Sequence, residues 1–239
     1  LNNKISINSI KLDKRLPIIE NRLIYKNYCI NFKSLIRPTH TIKLKKVSNK
    51  VMKIVKAESR NILILGAGSG IGNELLKLFL NNKKINIIGT YYKNKIFLSE
   101  KNLIKIKFDI ENKQSIRFIE NLVKKYAPMT IYYLPTPKIR NLVPSNETKN
   151  VYRKYYINWP CKILEIIKNL DCNFFYPSTT FINDNSLSSY SKIKKIAEKK
   201  LIKFKNSKIN INILRIPPVN TKQNLLLVNK IFPNFTDLI

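Results

Sequence analysis

Residues 62–72 read Ile-Leu-Ile-Leu-Gly-Ala-Gly-Ser-Gly-Ile-Gly, an apolar run followed by four glycines in seven residues. The apolar residues Ile62 to Leu65 predict a strand that is buried on both faces. Glycines at this position allow a tight turn and let a ligand approach the backbone before a helix begins. The N–H groups at the start of such a helix can bind phosphate. The stretch therefore predicts a strand–turn–helix unit with a phosphate-binding loop, and a tight turn without a ligand is the alternative for this loop taken alone.

Short apolar runs alternate with helical patterns from residue 61 onward, which is typical of a parallel sheet built from β-α-β units. The predicted strands are Ile62 to Leu65, Ile85 to Thr90, Leu103 to Phe108, Thr130 to Leu134, Asn173 to Tyr176 and Ile209 to Ile216. The predicted helices are Gly70 to Asn81, Lys113 to Lys125, Tyr156 to Asn169 and Ser188 to Lys205. The predicted fold class for residues 59–239 is α/β, a doubly wound Rossmann-type sheet in a three-layer α/β/α arrangement.

Residues 1–58 form a basic N-terminal extension with a different pattern. Apolar and polar residues alternate in Tyr25 to Phe32 and in Thr41 to Val47, around Arg37-Pro38, which predicts a pair of strands. Residues 31–38 resemble the late strands of hot-dog-fold dehydratases. The resemblance implies that the extension could be the remnant of a fused β-rich domain.

The composition limits the classes of protein to which the chain can belong. A hydrophobic content of 44% is enough for a buried core, and Lys or Asn interrupts every apolar run before it could span a membrane. Cys29, Cys161 and Cys172 lack metal-ligand spacing, and His40 is the single histidine. We therefore expect no disulfide framework and no metal site, and we expect a reducing compartment, the cytoplasm or an organelle matrix.

The formal net charge of +31 would ordinarily favour a nucleic-acid partner. The basic residues, however, are 37 Lys against 8 Arg and are spread along the chain. A dispersed lysine excess is typical of a solvated surface, and codons rich in A and T would produce the same excess. The alternative function that the charge suggests is a non-catalytic, basic subunit of an RNA-containing or other large assembly.

Three motifs occur in a fixed order along the chain: Gly66-x-x-x-Gly70-x-Gly72, Ser178-Thr179 at the end of a strand, and Tyr190-x-x-x-Lys194 on a helix. A separation of four residues places Tyr190 and Lys194 on one helix face. Because an unperturbed tyrosine has a pKa near 10, a nearby ammonium is needed to favour its phenolate at neutral pH. The order and spacing resemble the short-chain dehydrogenase/reductase family, over about three-quarters of the chain.

The resemblance implies a nicotinamide dinucleotide cofactor. No acidic residue follows the second strand, where Lys93 could pair with a 2′-phosphate, so NADP is favoured over NAD. Asp109 matches the aspartate that accepts the adenine amino group, and its alternative role is a helix N-cap. The implied cofactor-binding residues are Gly66, Gly68, Ser69, Gly70, Ile71, Gly72, Lys93, Asp109, Ile110, Tyr190, Lys194 and Thr221.

The resemblance also implies an oxidoreductase that reduces a carbonyl group or oxidises an alcohol of a small molecule. Tyr190 would exchange the proton, while Lys194 would bind the nicotinamide ribose and lower the tyrosine pKa. A Ser or Thr at the end of the preceding strand would orient the carbonyl; the separation from Tyr190 favours Ser178, the strand register favours Thr179, and both stay candidates. Asn158 matches an asparagine that kinks its helix and holds a proton-relay water. Relatives are commonly dimers or tetramers, so a homo-oligomer is one expectation.

Overall fold

The structure is a computed structural model, and it describes residues 6–10, 18–35, 47–112, 114–137, 146–183, 188–219 and 233. The chain divides into two compact units. The first contains the described residues 6–10, 18–35 and 233, and the second contains those described residues that fall between 47 and 219.

The first unit contains an antiparallel sheet of three strands in the order β1-β2-β3. Its strands are β1 Ser6–Ile10, β2 Ile18–Tyr25 and β3 Tyr28–Leu35. The prediction of one strand from Tyr25 to Phe32 was wrong, because a two-residue turn at Lys26 and Asn27 divides it, with Lys26 at φ 51°. The alternation of apolar residues continues through the turn and therefore hides it. The second predicted strand, Thr41 to Val47, lies outside the described residues except for Val47.

The second unit is built on a parallel sheet of six strands in the order β6-β5-β4-β7-β8-β9. The predicted doubly wound sheet is thus confirmed, with the chain reversing its direction of growth between β4 and β7. The strands are β4 Asn61–Leu65, β5 Ile87–Tyr91, β6 Leu103–Lys107, β7 Met129–Tyr133, β8 Cys172–Thr179 and β9 Ile209–Ile216.

The helices cover both faces of this sheet. They are α1 Asn49–Ala57, α2 Gly70–Phe79, α3 Ser115–Tyr126, α4 Asn146–Arg153, α5 Trp159–Ile167 and α6 Ser189–Leu201. A π-helical turn, Lys154–Asn158, joins α4 to α5. Short 3-10 turns follow β8 at Thr180–Asn183 and α6 at Ile202–Phe204. None of the helices in the described part of the chain is long and apolar enough to cross a membrane.

The core lies on both sides of β4, whose residues from Ile62 to Leu65 are fully buried. On one side, Ile62 and Ile64 belong to an apolar cluster with residues of α1 and α2. On the other side, Leu63 and Leu65 belong to a cluster with residues of α3, α5 and α6. Burying one aliphatic side chain of this size stabilises a fold by about 1.5–3 kcal/mol. The two clusters therefore hold the carboxyl ends of the strands in fixed positions.

Helix α1 lies within the residues that the sequence set apart as an extension. Its side chains Val51 and Val55 are buried in the same cluster as Leu75 and Leu76 of α2. The Ser48 hydroxyl caps this helix by accepting a hydrogen bond from the Val51 N–H at 3.3 Å. In the structure α1 is accordingly part of the core of the second unit.

Candidate active site

The glycine loop connects β4 to α2 at the carboxyl edge of the sheet. Gly66 has φ +88°, a conformation that side chains other than glycine rarely adopt. Its N–H donates to the Thr90 hydroxyl at 3.1 Å, and the Ala67 N–H donates to the Thr90 carbonyl at 2.7 Å. These two hydrogen bonds fix the start of the loop against the end of β5.

Two further glycines are required by close contacts rather than by their φ angles. A Cβ atom on Gly68 would lie 2.1 Å from the carbonyl oxygen of Asn94, in the segment after β5. A Cβ atom on Gly72 would lie 2.2 Å from the carbonyl oxygen of Gly66. Real Cβ atoms do not come this close to a backbone oxygen, so the loop can fold back on α2 only because these positions lack side chains.

We expect Gly72→Ala to destabilise the second unit by about 1–3 kcal/mol, because the new methyl group overlaps a backbone oxygen that cannot move freely. Lys77→Ala, on the exposed side of the same helix, is the matched control and should change stability by less than about 0.5 kcal/mol. Urea unfolding followed by the fluorescence of Trp159, the one tryptophan in the chain, measures both variants. A Gly72→Ala protein with the midpoint of the unsubstituted protein would contradict this description of the loop.

The start of α2 offers backbone donors to a ligand. Ser69 is the N-cap residue, but its side chain makes no capping hydrogen bond. Gly70 has φ +56° and begins the helix, and the predicted loop residues Ile71 and Gly72 follow it in the first turn. The N–H groups of a first helical turn have no acceptor within the helix and carry the positive end of its dipole. This turn can therefore hold an anion such as a pyrophosphate.

The predicted adenosine-binding residues follow the neighbouring strands. Lys93 is exposed after β5, with its Nζ 5.7 Å from the centroid of the Tyr92 ring. The Asp109 carboxylate accepts a hydrogen bond from the Glu111 N–H at 2.9 Å, and its carbonyl accepts the Ser115 hydroxyl. Asp109 thus braces the turn before α3 but is not the N-cap of that helix, which is Gln114.

For two of the predicted cofactor residues, the structure describes no side chain at the site. The Ile110 side chain is buried in the core, so only its backbone could face a cofactor. Thr221 lies outside the described residues. Both assignments stay predictions.

Helix α6 brings Tyr190 and Lys194 to the end of β8. Lys194 is 3% exposed, and its Nζ donates a hydrogen bond to the carbonyl oxygen of Pro177 at 2.6 Å. The same Nζ lies 4.1 Å from the ring centroid of Tyr156, 4.5 Å from that of Tyr176 and 5.8 Å from that of Tyr190. The ammonium is therefore held by one carbonyl and by the faces of aromatic rings.

Burial shifts the pKa values of both members of the pair. It lowers the pKa of Lys194 to about 7, since a charged amine is unfavourable in an apolar surrounding. It raises the pKa of Tyr190 to about 12; Tyr152 raises it further, and contact with the Thr179 side chain lowers it. The net direction for Tyr190 is opposite to the lowering expected from Lys194. The phenol is thus protonated at neutral pH.

The structure separates the two hydroxyl residues at the end of β8. Thr179 lies near the Tyr190 phenol, whose pKa it lowers, and its Oγ1 accepts the Phe181 N–H at 3.3 Å. Ser178 is buried and its Oγ has no hydrogen-bond partner among the described residues, but it lies near Glu198 and lowers the pKa of that carboxyl. Successive strand residues point to opposite faces of a sheet. Of the two predicted candidates, Thr179 is the one brought to Tyr190.

Asn158 lies apart from this cluster. The helix departs from α geometry at residues 154–158, as a kinking asparagine would imply, but the Asn158 side chain is exposed. It contributes to a surface cleft of about 790 Å³ whose lining includes neither Tyr190 nor Lys194. The carbonyls of Tyr155 and Tyr156 in this turn accept the hydroxyls of two core tyrosines, Tyr133 at 2.6 Å and Tyr176 at 3.0 Å.

Two tyrosines that sequence reasoning missed face Tyr190 instead. The rings of Tyr152 and Tyr156 lie 5.6 Å and 5.5 Å from the Tyr190 ring, both edge-on. The sequence did contain a signal for them, because residues four apart on a helix share one face, as Tyr190 and Lys194 do. Aromatic rings from the helical residues 146–158 therefore line one side of the site.

The described residues contain no group of three or more His, Cys, Asp or Glu side chains that could hold a metal ion. The cysteines Cys29, Cys161 and Cys172 are free.

Comparison with known proteins finds similarity in structure alone, since no family sequence model and no curated protein sequence matches the chain. A short chain dehydrogenase family protein from Francisella tularensis superposes with a TM-score of 0.54 at 18% identity, covering 69% of this chain and 72% of that one. A short chain dehydrogenase from Burkholderia cenocepacia in complex with NADP gives 0.55 at 12% identity, covering 74% and 79%.

A UDP-glucuronic acid 4-epimerase from Bacillus cereus in complex with NAD gives a TM-score of 0.51 at 20% identity, covering 66% of this chain and 56% of the epimerase. The chain therefore spans little more than half of that enzyme. The chain has the Rossmann-type fold of the short-chain dehydrogenases.

Proposed function

We propose that the second unit is an NADP(H)-dependent reductase that converts a carbonyl group of a small molecule to an alcohol. The observation that carries this proposal is the meeting of Thr179, Tyr190 and Lys194 at the end of β8. The glycine loop after β4 lies at the same edge, because the carboxyl ends of parallel strands share one edge of the sheet.

The residues of the loop fit a dinucleotide. Gly68 and Gly72 leave no side chain between the loop and its neighbours, and the first turn of α2 offers N–H groups that the Ser69 side chain does not cap. We assign the pyrophosphate to this turn, the 2′-phosphate to Lys93 and the nicotinamide ribose to Lys194, with Tyr190 beside it as the proton donor. A bound nicotinamide would supply a hydride to the carbonyl carbon.

The side chains near Tyr190 supply the proton chemistry. A phenol with a pKa of about 12 stays protonated at neutral pH, so Tyr190 can donate its proton to a carbonyl oxygen that is gaining negative charge. The Thr179 hydroxyl beside it can orient the same oxygen. The Lys194 ammonium can then stabilise the phenolate that remains. This arrangement favours the reducing direction.

We expect NADPH to bind more tightly than NADH, because the segment after β5 offers Lys93 and no carboxylate. Lys93→Ala should weaken NADPH binding by about fivefold, corresponding to about 1 kcal/mol for an exposed ion pair, and should leave NADH binding unchanged. Lys95→Ala, also exposed in this segment, is the matched control. Titration of nicotinamide fluorescence measures all four affinities, and tenfold tighter binding of NADH would contradict the preference.

Turnover is tested by following the loss of NADPH absorbance with panels of ketones, acyl thioesters and sugar nucleotides. We expect at least one carbonyl class to be reduced, with the alcohol identified by mass spectrometry. If the purified protein instead shows neither cofactor binding nor turnover, and binds RNA with a steep dependence on salt, the assembly-subunit function would replace this proposal.

A further inference from the structure

Helix α6 places an acidic residue one turn after Lys194. Glu198 follows it by four residues, the spacing that puts two side chains on one helix face, and its side chain is only 14% exposed. Arg215 of β9 donates to both of its carboxylate oxygens, from Nε at 3.0 Å and from Nη2 at 2.7 Å. The Nη1 of Arg215 donates to Asn183 at 3.2 Å. Residues of α6, of β9 and of the 3-10 turn after β8 therefore fix the position of this carboxylate.

Two consecutive residues of strand β8 lie beside Lys194 and Glu198. The Pro177 carbonyl accepts the Lys194 ammonium. The next residue, Ser178, is buried near the Glu198 carboxyl, whose pKa it lowers. Ser178, which the sequence offered as a substrate-orienting residue, thus belongs to the surroundings of Glu198.

We propose that Glu198, clamped by Arg215, is a positioning residue that favours the charged form of Lys194 in the active site. This inference rests on the proposed reductase function, in which the Lys194 ammonium binds ribose and stabilises a phenolate. The aromatic rings around Lys194 attract a cation but carry no net charge. A carboxylate on the same helix face supplies the negative charge that the buried ammonium lacks.

The side chains that face Lys194 are three tyrosines and one carboxylate. They are Tyr176 from β8, Tyr156 from the π-helical turn, and Tyr190 and Glu198 from α6. Burial raises the pKa of all three tyrosines, so they are neutral over the ordinary pH range. Glu198 raises the pKa of Lys194 against the larger effect of burial, while the two hydrogen bonds from Arg215 keep Glu198 ionised.

The two partners of the ion pair should therefore act on Lys194 in opposite directions. Glu198→Gln removes the carboxylate, and the Lys194 titration midpoint should fall by about one pH unit. Arg215→Gln leaves the carboxylate but removes the cation that offsets its field, so the midpoint should rise. A merely structural ion pair would give shifts of the same sign in both variants, since each substitution breaks the same contact.

The measurement is an NMR titration of protein labelled with carbon-13 at the lysine Cε atoms. The Lys194 signal is assigned by its loss in Lys194→Met, and Glu198→Asp should restore at least half of the shift lost in Glu198→Gln. Opposite shifts with rescue support the inference. Shifts of the same sign in Glu198→Gln and Arg215→Gln would overturn it. If only one of these variants folds, an unchanged Lys194 midpoint in that variant would overturn it. Because this titration needs no cofactor, it gives an answer even if NADPH does not bind and the reductase proposal fails.

Discussion

Tyr190→Phe should lower turnover by about two to four orders of magnitude while leaving the fold and NADPH affinity unchanged. Only a hydroxyl is lost, and the ring contacts with Tyr152 and Tyr156 can remain. The effect should appear in kcat rather than in KM, because the proton is needed in the transition state and not for binding. Steady-state kinetics with any carbonyl substrate found by screening, together with NADPH titration, measures both quantities.

Tyr126→Phe is the matched control for this experiment, since it removes a tyrosine hydroxyl at the end of α3. Its turnover should stay within a factor of about two of the unsubstituted protein. A Tyr190→Phe protein that retains full turnover would remove Tyr190 from the mechanism, whatever the substrate.

Lys194→Met should abolish turnover and at the same time make the second unit more stable near pH 6. Burial lowers the pKa of Lys194 to about 7 in the folded chain, whereas an unfolded lysine titrates near 10.4. Between these values the unfolded state binds more protons, so the contribution of Lys194 to the free energy of unfolding rises with pH. At pH 6 the amine is charged in both states, and its burial then costs the most.

The expected difference follows from these two pKa values. One pKa unit corresponds to about 1.4 kcal/mol and about two pH units separate the folded pKa from pH 9, so the stability gained by Lys194→Met should shrink by about 3 kcal/mol between pH 6 and pH 9. Lys195→Met, at the exposed neighbouring position, should show no such change. Urea unfolding at the two pH values, followed by Trp159 fluorescence, measures both variants. A constant difference between Lys194→Met and the unsubstituted protein would mean that Lys194 is not buried as a titrating amine.

The sequence was most informative where local physics decides the structure. The run Ile62 to Leu65 and the glycines after it predicted β4, the loop and the start of α2, because buried strands and close backbone contacts demand those residue types. Strand β9 has the predicted bounds, Ile209–Ile216. In contrast, Lys26 and Asn27 form a turn that the surrounding alternation concealed.

The site was harder to predict, because its geometry depends on contacts between distant elements. The spacing of Tyr190 and Lys194 could be read from the chain, but the burial that sets their pKa values comes from Tyr156 and Tyr176 on other elements. The choice between the two hydroxyls at the end of β8 depends on which face of the strand α6 covers. No pattern along the chain fixes that face.

The central claim, that the edge of the sheet beside the glycine loop binds a reduced nicotinamide dinucleotide, is tested most directly by titrating the purified protein with NADPH and NADH. We expect saturable binding of NADPH in the micromolar range, displaced by NADP and lost in Gly70→Val, whose branched side chain would occupy the approach of the pyrophosphate. Failure of both reduced cofactors to bind at millimolar concentration, in protein that is folded by circular dichroism, would contradict it.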